Sequence, residues 1–224
     1  MRVEIFPDRA AQAAACAAAI AGALPKDGPA SLVVTGGSSP GPTYDRLSAL
    51  DLDWGRITVA LSDDRWVAPT SADSNARLVR ERLLVGRAAA ARFVPMTGRG
   101  GSPDEDARLA EPVISALAPF AAVLLGMGED GHIASLFPGD PNLATALAGG
   151  RLVIGVAVAG LAPYVPRVSL TLAALLSGGG VLLLIAGEAK RALVERVGAE
   201  PAYDPPVAAL LRQRRVPVRV LWAP

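Results

Sequence analysis

The chain has 224 residues, 51% apolar and 19% charged, enough to bury a substantial core in one domain. Its 22 basic and 21 acidic residues leave a net charge of +1, so no overall field draws it to nucleic acid or a membrane surface, and a compact polar partner fits better. Cys16 is the only cysteine, which excludes an intrachain disulfide, gives no support to a thiolate metal site and fits a reducing cytoplasm.

From the start of the chain, Val3–Phe6 reads as a strand and the alanine-rich run after it as an amphipathic helix. Glu4, Asp8, Arg9 and Gln12 interrupt any apolar stretch of the signal-peptide kind, and no later segment reaches the roughly 18 consecutive apolar residues of a membrane span. Further strands are predicted at Ser31–Thr35, Ile57–Leu61, Arg92–Val94, Ala121–Leu125, Leu152–Val158, Val181–Ala186 and Val216–Leu221, each separated by a helix-sized segment. Such alternation requires crossover connections. The predicted fold class is therefore α/β, a three-layer, doubly wound, mostly parallel sheet with helices on both faces, in a single domain over 1–224. Ser102-Pro103-Asp104-Glu105 predicts a helix start, with Ser102 as cap, Pro103 first and Glu105 reaching back, in a helix running to about Ala118.

Three loops carry the chemistry. Gly36-Gly37-Ser38-Ser39-Pro40-Gly41 follows a strand and precedes a helix carrying Tyr44. Backbone N–H groups freed by glycine, two hydroxyls and a helix N-terminus make an anion cradle, with a flexible turn as the competing explanation. It lacks the lysine of a Walker A loop, which argues against a nucleoside triphosphate. At the end of the next strand, Ser62-Asp63-Asp64-Arg65-Trp66 sets two carboxylates beside an arginine, able to fix a sugar hydroxyl and a negative charge, although surface loops often carry such charges. Ser74 reads as the cap of a helix Asn75–Leu84. The third stretch, Ala121 to Gly139, reads AAVLLGMGEDGHIASLFPG: a buried strand, a glycine turn, and then His132 at the start of a helix beside Asp130. A lone histidine more often packs or caps. This one, the only histidine of the chain, stands where open α/β sheets bind ligands, and histidine is the side chain suited to proton exchange near neutral pH. Gly126-x-Gly128-x-x-Gly131 also matches a dinucleotide fingerprint. The segment 149–160 holds no carboxylate for a ribose, however, and Glu129 and Asp130 put negative charge where pyrophosphate would sit, so no nicotinamide or flavin is expected.

GMGEDGHIASLFPG resembles the signature of the 6-phosphogluconolactonase family, within the glucosamine/galactosamine-6-phosphate isomerase superfamily. GGSSP at Gly36–Pro40 resembles its first glycine loop, with Ser39 where threonine is usual. SDDRWVAPTSADSN at Ser62–Asn75 resembles its second motif, with Asp64 replacing glutamate. Arg167-Val168-Ser169-Leu170-Thr171 and Gly187-Glu188-Ala189-Lys190 resemble the remaining two, and Ala121 stands where the family usually carries aspartate.

The resemblance covers nearly the whole chain. It implies hydrolysis of 6-phospho-D-glucono-1,5-lactone to 6-phosphogluconate in the oxidative pentose phosphate pathway, with no metal or other cofactor. It also implies a cytoplasmic protein, a monomer or weak dimer, with no nucleic-acid or membrane partner. The substrate phosphate would be held by Gly36, Gly37, Ser38 and Ser39 with Arg167 and Lys190, and Asp63 and Gly128 would line the substrate site. His132 would take a proton from the attacking water and return it to the ring oxygen. Asp130 would hold the imidazole or polarise the water, and Arg65 or glycine-loop N–H groups would stabilise the oxyanion. Ser135 is a weaker candidate as nucleophile: there is no Gly-x-Ser-x-Gly elbow, and on the helix after His132 it has no evident orienting partner.

Glucosamine-6-phosphate deaminases of the same superfamily share the glycine loop and Asp-Gly-His-Ile-Ala, matched by Asp130 to Ala134. They continue Phe-Asn-Glu-Pro, and that glutamate helps the histidine open the sugar ring. Phe137 takes its position here and cannot relay a proton. A third alternative is a non-catalytic sugar-phosphate binder, against which the retention of both Asp130 and His132 speaks.

Overall fold

The computed structural model describes residues 2–157 and 163–224. Among these, the strands in chain order are β1 (Arg2–Ile5), β2 (Ala30–Val34), β3 (Ile57–Leu61), β4 (Asp63–Arg65), β5 (Arg92–Val94), β6 (Ala122–Leu125), β7 (Val153–Val156), β8 (Arg167–Leu170), β9 (Val181–Ala186) and β10 (Val218–Ala223). The helices are α1 (Arg9–Ala23), α2 (Gly41–Ser48), α3 (Asn75–Arg82), α4 (Pro103–Leu117), α5 (Leu143–Ala148), α6 (Leu172–Leu175), α7 (Glu188–Ala199) and α8 (Pro206–Arg212). Seven of these strands form a parallel sheet in the order β1-β10-β9-β6-β2-β3-β5. Among the described residues, no helix is long and apolar enough to cross a membrane.

The central strands have no polar face. β2 and β6 are buried at every position and β9 at all but its last, so both sides of the sheet must be covered. α1 packs on β9 and β10, and α7 also packs on β9. The Gln12 amide locks α1 in place by donating to the carbonyls of Ile185 and Leu221, both at 2.7 Å, which satisfies buried backbone acceptors at neighbouring strand ends. At the same, N-terminal end of α1, Asp8 caps the helix by accepting from Ala11 N.

The chain order places the functional crevice. From β2 the chain moves outward to β3 and β5, then returns to the opposite side of β2 as β6 and proceeds to β9 and β10. The C-terminal ends of β2 and β6 therefore border the topological switch point, where connections leave in opposite directions and an open cleft results.

The structure corrects three expectations. The segment predicted as a strand over Leu152–Val158 forms β7, but outside the parallel sheet: β7 pairs antiparallel with β8, which pairs antiparallel with β4, as a small second sheet (Val158 lies outside the described residues). Pro163 and Pro166 in the short connection to β8 disfavour the crossover helix that a parallel pair needs. Second, no helix begins at His132. The next helix is α5, because Gly131 and Ala134 both have positive φ, 79° and 48°, which turns the chain out of helical geometry. Third, Ser102 caps α4 as expected, accepting from Glu105 N, but Glu105 bonds Gly101 N instead of closing the box on Ser102.

Candidate active site

An open cleft of about 770 Å³, including its solvent-filled mouth, lies over the strand ends around the switch point. The loop after β2 brings Gly36, Gly37, Ser38 and Ser39, the turn after β6 brings Gly128 and His132, and the first turn of α7 brings Lys190. The small sheet supplies Asp63, Arg65 and Arg167. All the sequence-predicted residues thus converge on one cleft except Asp130, which stands behind His132 and contacts its ring.

The histidine is held by its own turn. Gly128 N donates to His132 O at 2.9 Å and Gly131 N to Gly128 O at 3.2 Å, while Val207 N of α8 anchors Gly131 O. Asp130 Oδ1 accepts from His132 N at 3.1 Å and lies 2.6 Å from Nδ1. An ionised carboxylate only accepts, so Nδ1 carries a proton, and in the neutral form of the ring the lone pair is on Nε2. This pair dictates the glycine at 128: a Cβ there would stand 2.2 Å from Nδ1 and 2.5 Å from Asp130 Oδ1. On its other side the imidazole meets the Phe137 ring, centroid to centroid 4.6 Å.

The small sheet places two arginines side by side. Its register sets Arg65 opposite Arg167 and Asp63 opposite Ser169, and strand alternation puts all four on one face. Like charges directly opposed across strands repel, and here the adjacent Asp63 carboxylate relieves part of that repulsion, as an anion bound in the cleft would. Arg65 Nη1 is tethered to Asp73 O at 2.7 Å, while its buried Nε has no partner among the described residues. The Arg167 guanidinium sits 5.0 Å above the Phe137 ring; burial lowers its pKa, opposed chiefly by Asp63. Burial likewise lowers the pKa of Lys190, opposed chiefly by Glu129. Both cations have given up part of their hydration, which an anionic ligand would replace.

Ser135 does not share a helix face with His132. It is buried, donates Oγ to Asp63 Oδ2 at 2.6 Å, and receives support at its N–H from Ser169 Oγ. Its hydroxyl therefore ties the histidine turn to the arginine sheet through a carboxylate partner that the sequence did not reveal, and Ser135 itself is not among the residues that line the cleft.

Asp64 also differs from expectation. Strand alternation turns it away from the cleft, where it is fully buried and accepts from Arg65 N, Asn75 N and Ala76 N, with Ser74 Oγ at 3.5 Å. Only Asp63 of the adjacent carboxylates faces the cleft; Asp64 organises the start of α3. Burial, helped by the nearby Asp63 charge and opposed by the N–H donors, pushes the Asp64 pKa up to about 6 from 3.8. The folded chain then holds this proton more tightly than the unfolded chain. The resulting stabilisation is fully present below about pH 4 and is lost as pH rises through about 6. Urea unfolding of wild type and Asp64→Asn should show the wild type gaining stability relative to the variant on going from pH 7 to pH 4.5. A difference constant with pH would mean that the Asp64 pKa is not raised.

The sequence reading did not assign several residues that line the cleft: Thr35, Asn75, Met127, Ala134 and Leu184. Thr35 is held by Tyr44, whose buried hydroxyl donates to Thr35 O and accepts from Thr35 N at 3.0 Å, fixing the point where β2 enters the glycine loop. Tyr44 was visible as an aromatic on the following helix, but nothing in the sequence indicates which backbone group it meets. Among the described residues, no three His, Cys, Asp or Glu side chains converge as metal ligands. The cations and N–H donors around the cleft suit an anionic ligand.

Comparison with known proteins gives a consistent result. Residues 8–222 match the family model described as glucosamine-6-phosphate isomerases/6-phosphogluconolactonase. A 6-phosphogluconolactonase of Caulobacter vibrioides is 45% identical over 229 aligned positions, covering 100% of this chain and 97% of the relative. One from Pseudomonas aeruginosa is 41% identical, covering 99% and 94%. The crystal structure of a 6-phosphogluconolactonase from Shewanella baltica superposes with a TM-score of 0.92 at 33% identity, covering 99% and 97%.

Proposed function

The chain belongs to the glucosamine-6-phosphate isomerase/6-phosphogluconolactonase family and hydrolyses 6-phospho-D-glucono-1,5-lactone to 6-phosphogluconate; we propose that His132 is the general base of this reaction. The observation that carries the assignment is the 2.6 Å contact of His132 Nδ1 with Asp130, in a cleft that also contains Arg65, Arg167 and Lys190.

A δ-lactone is an activated ester, so the residues need only supply a base, an acid and charge stabilisation. His132 Nε2 takes a proton from water as the water oxygen attacks the ring carbonyl. The tetrahedral oxyanion is stabilised by Arg65. The imidazolium returns its proton to the ring oxygen as the carbon–oxygen bond breaks, and Asp130 holds the ring in one tautomer throughout. The phosphate is gripped by Gly36, Gly37, Ser38 and Ser39 with Arg167 and Lys190. We place the reaction in the cytoplasm, in a monomer or weak dimer, without metal, nucleic acid or membrane.

The deaminase alternative fares worse on one contact. The aromatic ring of Phe137 stands against His132, where a second proton carrier would be needed. The test is an assay with freshly made 6-phosphoglucono-δ-lactone beside glucosamine 6-phosphate. Accelerated loss of the lactone with no ammonia from the amino sugar is expected, and ammonia release overturns the assignment.

A further inference from the structure

Asn75 faces the cleft without a task in the reaction just described. It is the first residue of α3, 3% exposed, and lines the cleft beside Gly36. It is not needed as a cap, since Ser74 Oγ accepts from Arg77 N. Its own N–H is taken by Asp64. Its side-chain Nδ2 donates to the backbone carbonyl of Asp63 at 2.9 Å. That carbonyl can only accept, so the chemistry fixes the amide orientation, and Oδ1 is the free acceptor. No hydrogen bond reaches Oδ1 among the described residues, and it is not fully enclosed by protein. The close packing depends on Gly36, because a Cβ there would stand 1.9 Å from Oδ1.

A largely buried carbonyl oxygen needs a donor, and in this cleft the donor must come from the ligand or from the water it displaces. A fully ionised phosphate cannot serve, because its oxygens only accept. On a phosphorylated sugar lactone the remaining donors are the ring hydroxyls. We propose that Asn75 Oδ1 accepts a hydrogen bond from a ring hydroxyl of the lactone, so that Asn75 is a specificity-determining residue reading the hydroxyl pattern of the sugar. This rests on the lactonase assignment above. A site built to bond a hydroxyl discriminates strongly against an analogue lacking it, because the buried acceptor is then left unpaired.

The test pairs changes in the protein with changes in the substrate. kcat/KM is measured for 6-phosphoglucono-δ-lactone and its 2-deoxy, 3-deoxy and 4-deoxy counterparts with wild type, Asn75→Ala and Asn75→Ser. The wild type should be penalised about 10- to 100-fold by one of the deoxy lactones, and the two variants should lose most of that penalty. If Asn75 only supports the Asp63 carbonyl, its variants will slow all four lactones by one common factor, and the proposal falls. Wild type alone provides a second check that does not depend on a variant folding: equal kcat/KM for the parent and all three deoxy lactones overturns the proposal. Either result leaves the lactonase assignment standing, whereas a wild type inactive on the parent lactone removes both.

Discussion

Replacing His132 with alanine should lower kcat by about 10²–10⁴, the usual contribution of a positioned general base. The fold should survive, because His132 caps no helix and belongs to no strand, and the turn that holds it is closed by backbone bonds from Gly128, Gly131 and Val207. Circular dichroism and a thermal melt check that point, and kinetics on freshly made lactone check the rate after spontaneous hydrolysis is subtracted. A variant within threefold of wild type, a margin of about 0.7 kcal/mol, rules out the assigned role. The loss should appear in kcat more than in KM: on the proposed mechanism what is deleted acts on the attacking water, while the arginines and Lys190 proposed to hold the substrate remain.

The second large effect concerns phosphate recognition. If the glycine loop, Arg167 and Lys190 grip a phosphate remote from the scissile bond, their binding energy positions the lactone against His132. Glucono-δ-lactone should then lose turnover as well as affinity relative to its 6-phosphate. Each charge-assisted contact is worth roughly 1.5–3 kcal/mol, so two separate the substrates by roughly two to four orders of magnitude in kcat/KM. Lys190→Met keeps much of the apolar stem and removes the charge; it should narrow that ratio, chiefly by handling the phosphorylated lactone worse. Arg167→Met should do the same, with an added structural cost from the lost packing on Phe137. An unchanged ratio in both variants would falsify the assignment of the phosphate to this part of the cleft.

Both effects depend on residues far apart in the chain, and they were legible in the sequence to different degrees. His132 and Asp130 stand two residues apart in a glycine turn after an apolar strand, so spacing alone brought them together. The glycine loop was legible for the same reason, as a local turn between a strand and a helix. Arg167 and Lys190 were different. Neither has a local pattern that separates a ligand contact from a surface charge, and although Lys190 stands out as one of only two lysines, resemblance to the 6-phosphogluconolactonase family alone suggested a phosphate-binding role for either.

Alternating apolar runs were enough to determine the α/β class and the doubly wound parallel sheet, because burial on both faces removes the polar alternation that other strands show. They also located the reactive turn at a strand's C-terminal end. What only the tertiary structure decided is the second sheet and everything it positions. β4 and β8 are short and charged, with no periodicity long enough to read, and their pairing depends on a contact between residues about a hundred positions apart. That pairing puts Arg65 opposite Arg167, turns Asp63 toward the cleft and Asp64 away from it, and gives Ser135 a carboxylate partner in place of a helix. Asn75 became visible in the same way: its amide faces the cleft because the Asp63 carbonyl orients it and Gly36 makes room, a relation among three segments that no one of them encodes alone.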